Sequence, residues 1–283
     1  MVVAVKSDDS APHLPNALVV GPMKAGSTWV HDYLSYRGDV ALPAPDKESF
    51  FFDRYYDRGP EWYAEQFSRR EVMPASSVVE IGPSYFHHPD VPARVRETLG
   101  SIPLVFTLRN PVKRAWSHYL HIRRYGLTTK SLQSAVADYP AILDASRYRE
   151  CVKRWREALP DSPTTFVWQE TLAQDPAMYA RRVSEGLDIP HVDVPWSMIG
   201  QSNAAAVPAS TLLARLAYRG ARFCRDHGLG RAVHWARAIG FQPLVFGRPG
   251  SARHLEPSDA ECSWLASQLR EQGDGEPDGH GYL

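Results

Sequence analysis

The sequence has no excess of charge of either sign. Its 283 residues include 32 Lys and Arg and 32 Asp and Glu, so the formal net charge at pH 7 is zero. A balanced charge argues against non-specific attraction to nucleic acid or to an anionic membrane. We therefore expect no nucleic-acid partner. An anionic ligand would have to be held by a local cluster of positive groups.

Cysteine is also scarce. The three cysteines, Cys151, Cys224 and Cys262, are odd in number and far apart in the chain. This pattern suits neither a disulfide framework nor the spacing of a zinc site. It favours a reducing compartment, and we predict a cytoplasmic protein that binds no metal.

Long apolar runs are missing as well. No stretch reaches the roughly 18 uninterrupted apolar residues of a membrane span. The start, MVVAVKSDDSAPHLP, lacks the basic region and the long apolar segment of a secretion signal. We predict a flexible leader at 1–14, a single domain at 15–270 and a disordered, Gly- and acid-rich tail at 271–283.

Short apolar runs that end at turn residues predict the strands of a parallel sheet. These runs are Asn16–Gly21, Ser77–Ile81, Pro103–Leu108 and Thr164–Trp168. Patterns typical of helices begin at Ser27, Val112 and Pro176, and the first two extend to Tyr36 and Tyr125. The alternation predicts an α/β fold, with a P-loop-like parallel sheet flanked by helices on both faces.

Residues 201–255 are rich in arginine. Eight arginines accompany one carboxylate, Asp226, and apolar residues recur at helical spacing between Leu212 and Phe223. The pattern predicts a basic, helical C-terminal subregion. A solvated helical surface that binds no ligand would explain the arginines equally well.

The sharpest local motif is the loop Gly21–Thr28, G-P-M-K-A-G-S-T, between the first predicted strand and helix. A helix N-terminus offers free N–H groups to a phosphate, and Gly26 allows close approach of the backbone. Lys24 adds a mobile charge. A Walker A loop has lysine directly before Ser or Thr, but Ser27 holds that place here. The loop predicts phosphate binding without the lysine that reaches a γ-phosphate, and an ordinary strand-to-helix turn is the alternative.

An aromatic segment with a Lys-Glu pair follows at residues 47–53, K-E-S-F-F-F-D. A carboxylate beside aromatic rings has a raised pKa, which suits it to accept a proton from an attacking hydroxyl. The segment thus places a carboxylate, Glu48, beside aromatic side chains. The alternative is a core aromatic cluster with a Lys-Glu pair on the surface.

A third motif, L-R-N-P-V-K-R-A-W-S-H-Y at residues 108–119, begins at the end of a predicted strand. Ligands bind at the carboxyl ends of strands in open α/β sheets. Arg109 lies at that end, and Ser117 lies about two turns into the next helix. An arginine fork and a hydroxyl can together bind a terminal phosphate. His118 and His121 are further candidate bases, although surface or core histidines would explain both.

These segments resemble those of the sulfotransferases that use 3′-phosphoadenosine 5′-phosphosulfate (PAPS), especially the heparan sulfate sulfotransferases and their bacterial relatives. The resembling patterns are G-x-x-K-x-G-[ST]-[ST] in the phosphosulfate loop, K-E-x-H-F-F-D, and L-R-[DN]-P-x-x-R-A-x-S-x-Y. Residues 80–86, E-I-G-P-S-Y-F, resemble the family's E-K-[ST]-P-x-Y-F, and residues 246–254 loosely resemble a Gly-rich basic loop over the nucleotide.

The resemblance implies transfer of a sulfuryl group from PAPS to a hydroxyl or amine, with release of 3′,5′-ADP. It implies Glu48 as the general base and Lys24 as the catalytic cation. The implied nucleotide-binding residues are Lys24, Ala25, Gly26, Ser27, Thr28, Trp29, Arg109, Ser117, Arg248 and Arg253. The implied acceptor-binding residues are Lys47, Phe50, Asp53, Ser84 and Tyr85.

Three residues depart from the family pattern. Phe50 replaces a histidine, Ile81 replaces a lysine and Gly82 replaces a hydroxyl residue. In the heparan sulfate enzymes these side chains help to handle an acidic glycan. We therefore predict a less charged acceptor, either a neutral glycan, a glycolipid or a small natural product. The sequence predicts no oligomeric state.

Two other functions are compatible with a phosphate loop. A P-loop nucleotide kinase would require a lysine at position 27 and a carboxylate that binds magnesium, and Ser27 fails the first requirement. A non-catalytic nucleotide-binding module would need neither Lys24 nor Glu48, and both are present.

Overall fold

The computed structural model describes residues 14–67, 77–198, 210–227, 245–246 and 256–270. The predicted tail, nearly all of the predicted leader and most of the basic subregion lie outside the described residues. The strands are β1 Ala17–Val20, β2 Val40–Ala41, β3 Ser77–Gly82, β4 Leu104–Leu108 and β5 Thr164–Trp168. The α-helices are α1 Ser27–Arg37, α2 Phe51–Arg54, α3 Gly59–Glu65, α4 Val91–Leu99, α5 Pro111–Arg124, α6 Leu132–Asp138, α7 Ala141–Asp144, α8 Tyr148–Ala158, α9 Gln169–Gln174, α10 Pro176–Gly186, α11 Thr211–Asp226 and α12 Asp259–Arg270. Two 3₁₀ helices span Tyr56–Arg58 and Trp196–Met198.

The five strands form one parallel sheet in the order β2-β3-β1-β4-β5. In the register, Leu18 of β1 lies opposite Glu80 of β3 on one side and Leu104 of β4 on the other. The chain passes from β3 across β1 to β4, so the strand order reverses beside β1. In open α/β sheets a ligand crevice forms at the carboxyl ends of the strands at such a point. The predicted α/β fold is confirmed.

Helices cover both faces of the sheet because successive residues of each strand point to opposite sides. On one face, Leu18, Val20 and Phe106 pack with side chains of α2, α3 and α8. On the other face, Val19 and Val105 pack with side chains of α1 and α10. Every residue of β1 and β4 is buried, as expected for strands of a parallel sheet that is covered on both faces.

A third cluster lies beside the sheet and joins α5, α6 and α7 to α12. Helix α11, which falls in the predicted basic subregion, lies against the end of α5. Arg215 Nε donates to the Gly126 carbonyl at 2.8 Å, and the Tyr218 and Tyr125 rings are 5.1 Å apart. Its apolar stripe faces outward, with Leu212 65% and Phe223 60% exposed.

Candidate active site

The loop after β1 is shaped by close backbone approach. A Cβ atom on Gly21 would lie 2.4 Å from the carbonyl oxygen of Thr107, so no larger residue fits there. Lys24 and Gly26 have φ values of 76° and 99°, in the left-handed region. Gly26 precedes α1, and no side-chain oxygen among the described residues caps that helix. The N–H groups of Ser27 and Thr28 are therefore available to an anion, whereas the Trp29 N–H donates to the Gly26 carbonyl at 3.0 Å.

Lys24 in this loop is accompanied by three cationic side chains from other parts of the chain. Lys47 Nζ donates to Thr28 Oγ1 at 3.1 Å, and Arg109 Nη1 donates to the Lys24 carbonyl at 3.3 Å. Burial, together with the smaller effects of the nearby charges of Arg124, Arg109 and Lys47, lowers the pKa of Lys24 to about 8. In a protein of zero net charge, this cation cluster is a strong local site for an anion.

Arg109 is fixed by its neighbours at the junction of β4 and α5. The Tyr148 hydroxyl donates to the Arg109 carbonyl at 2.7 Å, and Glu170 Oε1 accepts from the Asn110 N–H at 3.0 Å. Burial lowers the pKa of Arg109, while the charge of Glu170 opposes this shift. Ser117 lies partly buried on α5. Its action with Arg109 on one phosphate stays a prediction.

Arg114 ties the loop to the helices beneath it, although the sequence motif suggested no role for it. This arginine is fully buried. Its Nε donates to Ser146 Oγ at 2.6 Å, its Nη1 donates to the Met23 carbonyl at 3.4 Å, and its Nη2 donates to the Ile142 carbonyl. Burial lowers its pKa to about 10. Arg114 therefore holds the loop backbone in place from below.

Arg124 was not predicted as a site residue. It belongs to the last turn of α5, and its charge acts on Lys24. Ser117, His121 and Arg124 follow a spacing of four and three residues, which places them on one face of the helix. This spacing is the signal in the sequence that identifies Arg124.

Glu48 has the electrostatic character expected of a general base. Burial raises its pKa to about 7, and the carboxylates of Glu80 and Asp53 act in the same direction. The positive charges of Lys47 and Arg54 oppose the shift without cancelling it. A carboxylate with this pKa exchanges protons near neutral pH.

The aromatic side chains after Glu48 belong to the core. The Phe51 and Tyr63 rings stack with centroids 4.3 Å apart, and Phe51 and Phe52 are fully buried. Tyr85 is also buried, at 1% exposure, and its hydroxyl donates to Glu80 Oε1 at 3.0 Å. Tyr85 thus packs in the core, and its implied role in acceptor binding stays a prediction.

The other predicted acceptor residues lie close to Glu48. Phe50 is partly buried with a φ of 54°, and the Arg54 guanidinium lies 4.1 Å from its ring centroid. Asp53 Oδ2 is 3.7 Å from Arg54 Nε. Burial raises the pKa of Asp53, while Arg54 and the hydroxyl of Ser84 oppose this shift. Lys47 lies between this group and the loop, since its amine contacts Thr28.

Ile81 lies elsewhere. It is 1% exposed and packs in the core cluster between the sheet and α1. The loss of lysine at this position therefore does not alter an exposed acceptor surface. The prediction of a less charged acceptor then depends on Phe50 and Gly82.

His118 and His121 are close to Lys24 but are poor candidates for the base. His118 is buried, and its Nδ1 lies 3.2 Å from Arg114 Nη1, which donates to it. Burial lowers the pKa of both histidines well below the usual value, and the nearby cations strengthen the effect. Neither imidazole readily holds an additional proton.

Two predicted nucleotide-binding residues, Arg248 and Arg253, lie outside the described residues. The preceding residue Phe246 is described, and its carbonyl accepts from Arg124 Nε at 3.2 Å. Among the described residues, no group of three or more His, Cys, Asp or Glu side chains is placed to hold a metal ion. No helix in the described part of the chain is long and apolar enough to span a membrane.

The family described as "Sulfotransferase domain" matches residues 14–208, which include every element from β1 to the second 3₁₀ helix. The chain belongs to this family. The predicted sulfotransferase family is thereby confirmed, and the P-loop kinase alternative is not favoured.

Curated relatives of this chain include proteins named as heparan sulfate sulfotransferases. Heparan sulfate glucosamine 3-O-sulfotransferase 3A1 of Homo sapiens is 28% identical over 199 residues, which are 67% of this chain and 48% of that protein. Heparan sulfate glucosamine 3-O-sulfotransferase 6 of Mus musculus is 31% identical over 196 residues, or 66% and 56% of the two chains. The chain spans about half the length of these relatives.

A solved structure supports the fold. The sulfotransferase from Alicyclobacillus acidocaldarius matches with a TM-score of 0.58 and 23% identity, and the match covers 78% of this chain and 96% of that chain.

Proposed function

We propose that this chain transfers a sulfuryl group from PAPS to an acceptor hydroxyl, with Glu48 as the general base. The observation that carries the proposal is the proximity of a cluster of positive charge to the carboxylate of Glu48. The cluster consists of Lys24, Lys47, Arg109 and Arg124. The charge of Lys47 also acts on the Glu48 carboxylate, whose pKa is about 7. Membership of the sulfotransferase domain family supports the choice of donor.

The loop and the start of α1 are suited to the 5′-phosphosulfate of the donor. The free N–H groups of α1 and the Lys24 amine offer donors and positive charge at one place. Arg109 and Ser117 on the next strand-helix unit would bind the 3′-phosphate. The two units lie side by side because β1 pairs directly with β4.

During transfer, the acceptor oxygen forms a bond to sulfur while the bond from sulfur to the bridging phosphate oxygen breaks. Glu48 takes the proton of the acceptor hydroxyl. Negative charge grows on the bridging oxygen, and Lys24 neutralises it. A preorganised group of this kind contributes about 3 kcal/mol. The other product is 3′,5′-ADP.

The acceptor that we propose is a neutral glycan, a glycolipid or a small natural product, and an amine in place of a hydroxyl is a variant of the same chemistry. Phe50 presents a partly buried aromatic ring beside Glu48, in the place where the family carries histidine. The positive charge of Arg54, which lies over this ring, is offset by Asp53. This environment favours an acceptor with little negative charge.

Calorimetric titration tests the donor site, with 3′,5′-ADP compared against ATP and magnesium. We expect 3′,5′-ADP to bind at least ten times more tightly, because a second phosphate reaches Arg109. Donor turnover is then measured over neutral glycans, glycolipids, phenols and heparan-like polymers. Equal or stronger binding of ATP would contradict the donor assignment. A preference for heparan-like polymers would contradict the acceptor assignment alone.

A further inference from the structure

Glu80 is a fully buried carboxylate for which neither the sequence motifs nor the proposed reaction gives a role. It lies on β3 in the middle of the core, with 0% exposure. Its Oε1 accepts from the Ser49 N–H at 3.1 Å, from the Ser49 hydroxyl and from the Tyr85 hydroxyl at 3.0 Å. Its Oε2 accepts from the Tyr63 hydroxyl at 2.5 Å. Four donors therefore converge on one carboxylate.

These donors connect three separate elements to the sheet. Tyr63 belongs to α3 and Tyr85 follows β3, while Ser49 is the residue directly after Glu48. The Ser49 hydroxyl also accepts from the Phe51 N–H at 3.0 Å, at the start of α2. Both the main chain and the side chain of Ser49 are thus fixed. The backbone that carries Glu48 is anchored to the central sheet through Glu80.

We infer that Glu80 is a positioning residue for sulfuryl transfer, which holds the backbone at Glu48 and Ser49 so that the Glu48 carboxylate faces the acceptor. This inference rests on the proposed function of Glu48. A glutamine would keep one oxygen for the three donors on Oε1, but its N–H₂ group would replace the oxygen that accepts from the Tyr63 hydroxyl, and the negative charge would be lost.

Burial raises the pKa of Glu80, while the hydrogen bonds from Ser49, Tyr63 and Tyr85 oppose this shift and stabilise the charged form. A charged group in the core must be balanced by hydrogen bonds, and apolar residues of similar volume often serve stability as well. The negative charge of Glu80 also raises the pKa of Glu48 and so favours its protonated form. The charged groups that act on Glu48 are Lys47, Arg54, Asp53 and Glu80. Only Glu80 among them is fixed by four donors.

The test is the E80Q variant, assayed for turnover as a function of pH and for binding of 3′,5′-ADP. We expect kcat to fall about 100-fold, the effect of displacing a catalytic group by about 1 Å. The acidic limb of kcat/KM moves to lower pH by on the order of one unit, because the neighbouring negative charge is lost. Binding of 3′,5′-ADP stays unchanged, since Glu80 makes no contact with the loop. A variant that binds 3′,5′-ADP but keeps the kcat and pH profile of the wild type would overturn the inference.

Two milder variants keep the inference testable if E80Q does not fold. Tyr63→Phe and Ser49→Ala each remove one hydroxyl donor but leave the carboxylate and the Ser49 N–H contact in place. We expect each to lower kcat about tenfold with an unchanged acidic limb, because the charge of Glu80 remains. The inference is wrong if both variants fold and keep the kcat of the wild type.

The surface variant Glu157→Gln is the matched control, because it makes the same chemical change at an exposed ion pair with Lys153. We expect it to keep the kcat and the pH profile of the wild type. A wild-type protein that binds 3′,5′-ADP but transfers no sulfuryl group would contradict the proposed function instead. The two failures are therefore distinguishable.

Discussion

At the scale of single residues, Glu48 and Lys24 have pKa values shifted in opposite directions. Burial raises the pKa of Glu48 to about 7 and lowers the pKa of Lys24 to about 8. In each case the shift favours the neutral form. A general base and a cation that are matched to neutral pH are the pair that sulfuryl transfer needs.

The pH profile of kcat/KM follows from these two values. In the proposed reaction Glu48 acts when deprotonated, so activity should rise as the pH increases through about 7. Lys24 acts when protonated, so activity falls as the pH increases through about 8. We expect a narrow bell-shaped profile for the free enzyme. In the kcat profile both limbs move to higher pH, because the negative charge of the bound donor raises both pKa values. A flat kcat/KM between pH 6 and 9 would contradict these assignments.

Glu48→Gln tests the role of the base. We expect kcat to fall by about 10² to 10⁴-fold, the usual contribution of general base catalysis. Binding of 3′,5′-ADP by calorimetry stays within a factor of two or so, because Glu48 makes no contact with the phosphate loop. If Glu48→Gln kept the activity of the wild type, a group other than Glu48 would have to act as the general base. A variant with normal kcat for the bound donor but weak nucleotide binding would also argue against the assignment.

At the scale of elements, the structure follows the sequence closely where a local signal sets a boundary. Helix α5 starts at Pro111, one residue before the predicted start, because the Asn110 side chain accepts from the Lys113 N–H at 3.1 Å and caps it. Strand β5 matches its prediction, Thr164–Trp168. Strand β2 was not predicted, since a strand of two residues carries no periodic pattern.

The cap of α5 gives a prediction about stability and binding together. Asn110→Ala should lower the free energy of unfolding by about 1 kcal/mol, because one N–H of the first turn loses its partner. It should also weaken 3′,5′-ADP binding, since Arg109 is the preceding residue. Asn110→Ser, which can still cap the helix, is the matched control and should keep most of both properties. Denaturant unfolding and calorimetry measure the two effects. Equal stability of the alanine and serine variants would show that the cap contributes little.

At the scale of the whole molecule, the protein concentrates positive charge at one edge of the sheet although its total charge is zero. The burial of Lys24 and the neighbouring cations both disfavour its charged form without a ligand, as its lowered pKa indicates. The unfolded chain binds the Lys24 proton more tightly than the folded chain. The contribution of Lys24 to stability therefore improves as the pH rises from about 8 towards the ordinary value of 10.5.

Lys24→Met should accordingly stabilise the ligand-free protein. We expect a rise in melting temperature of about 2–4 °C at pH 7, because a buried charge among cations is removed. The stabilisation by 3′,5′-ADP should be largely lost at the same time. Lys153→Met, on the exposed side of α8, is the control and should change neither property. A lower melting temperature for Lys24→Met would show that Lys24 stabilises the fold rather than the bound ligand.

The sequence by itself determined the parallel α/β fold, while a short motif led to the proposed phosphate loop at Lys24 and the family resemblance led to the proposed base Glu48. Strand and helix patterns and short motifs involve residues that are adjacent or about one helical turn apart, so the sequence alone can indicate them. Only the tertiary structure showed that Glu80 anchors Ser49 from 31 residues away, that Arg124 reaches Lys24, and that Tyr85 lies in the core. Periodicity indicates that a side chain is buried, but the pairing of strands and the packing of helices decide which distant group it meets.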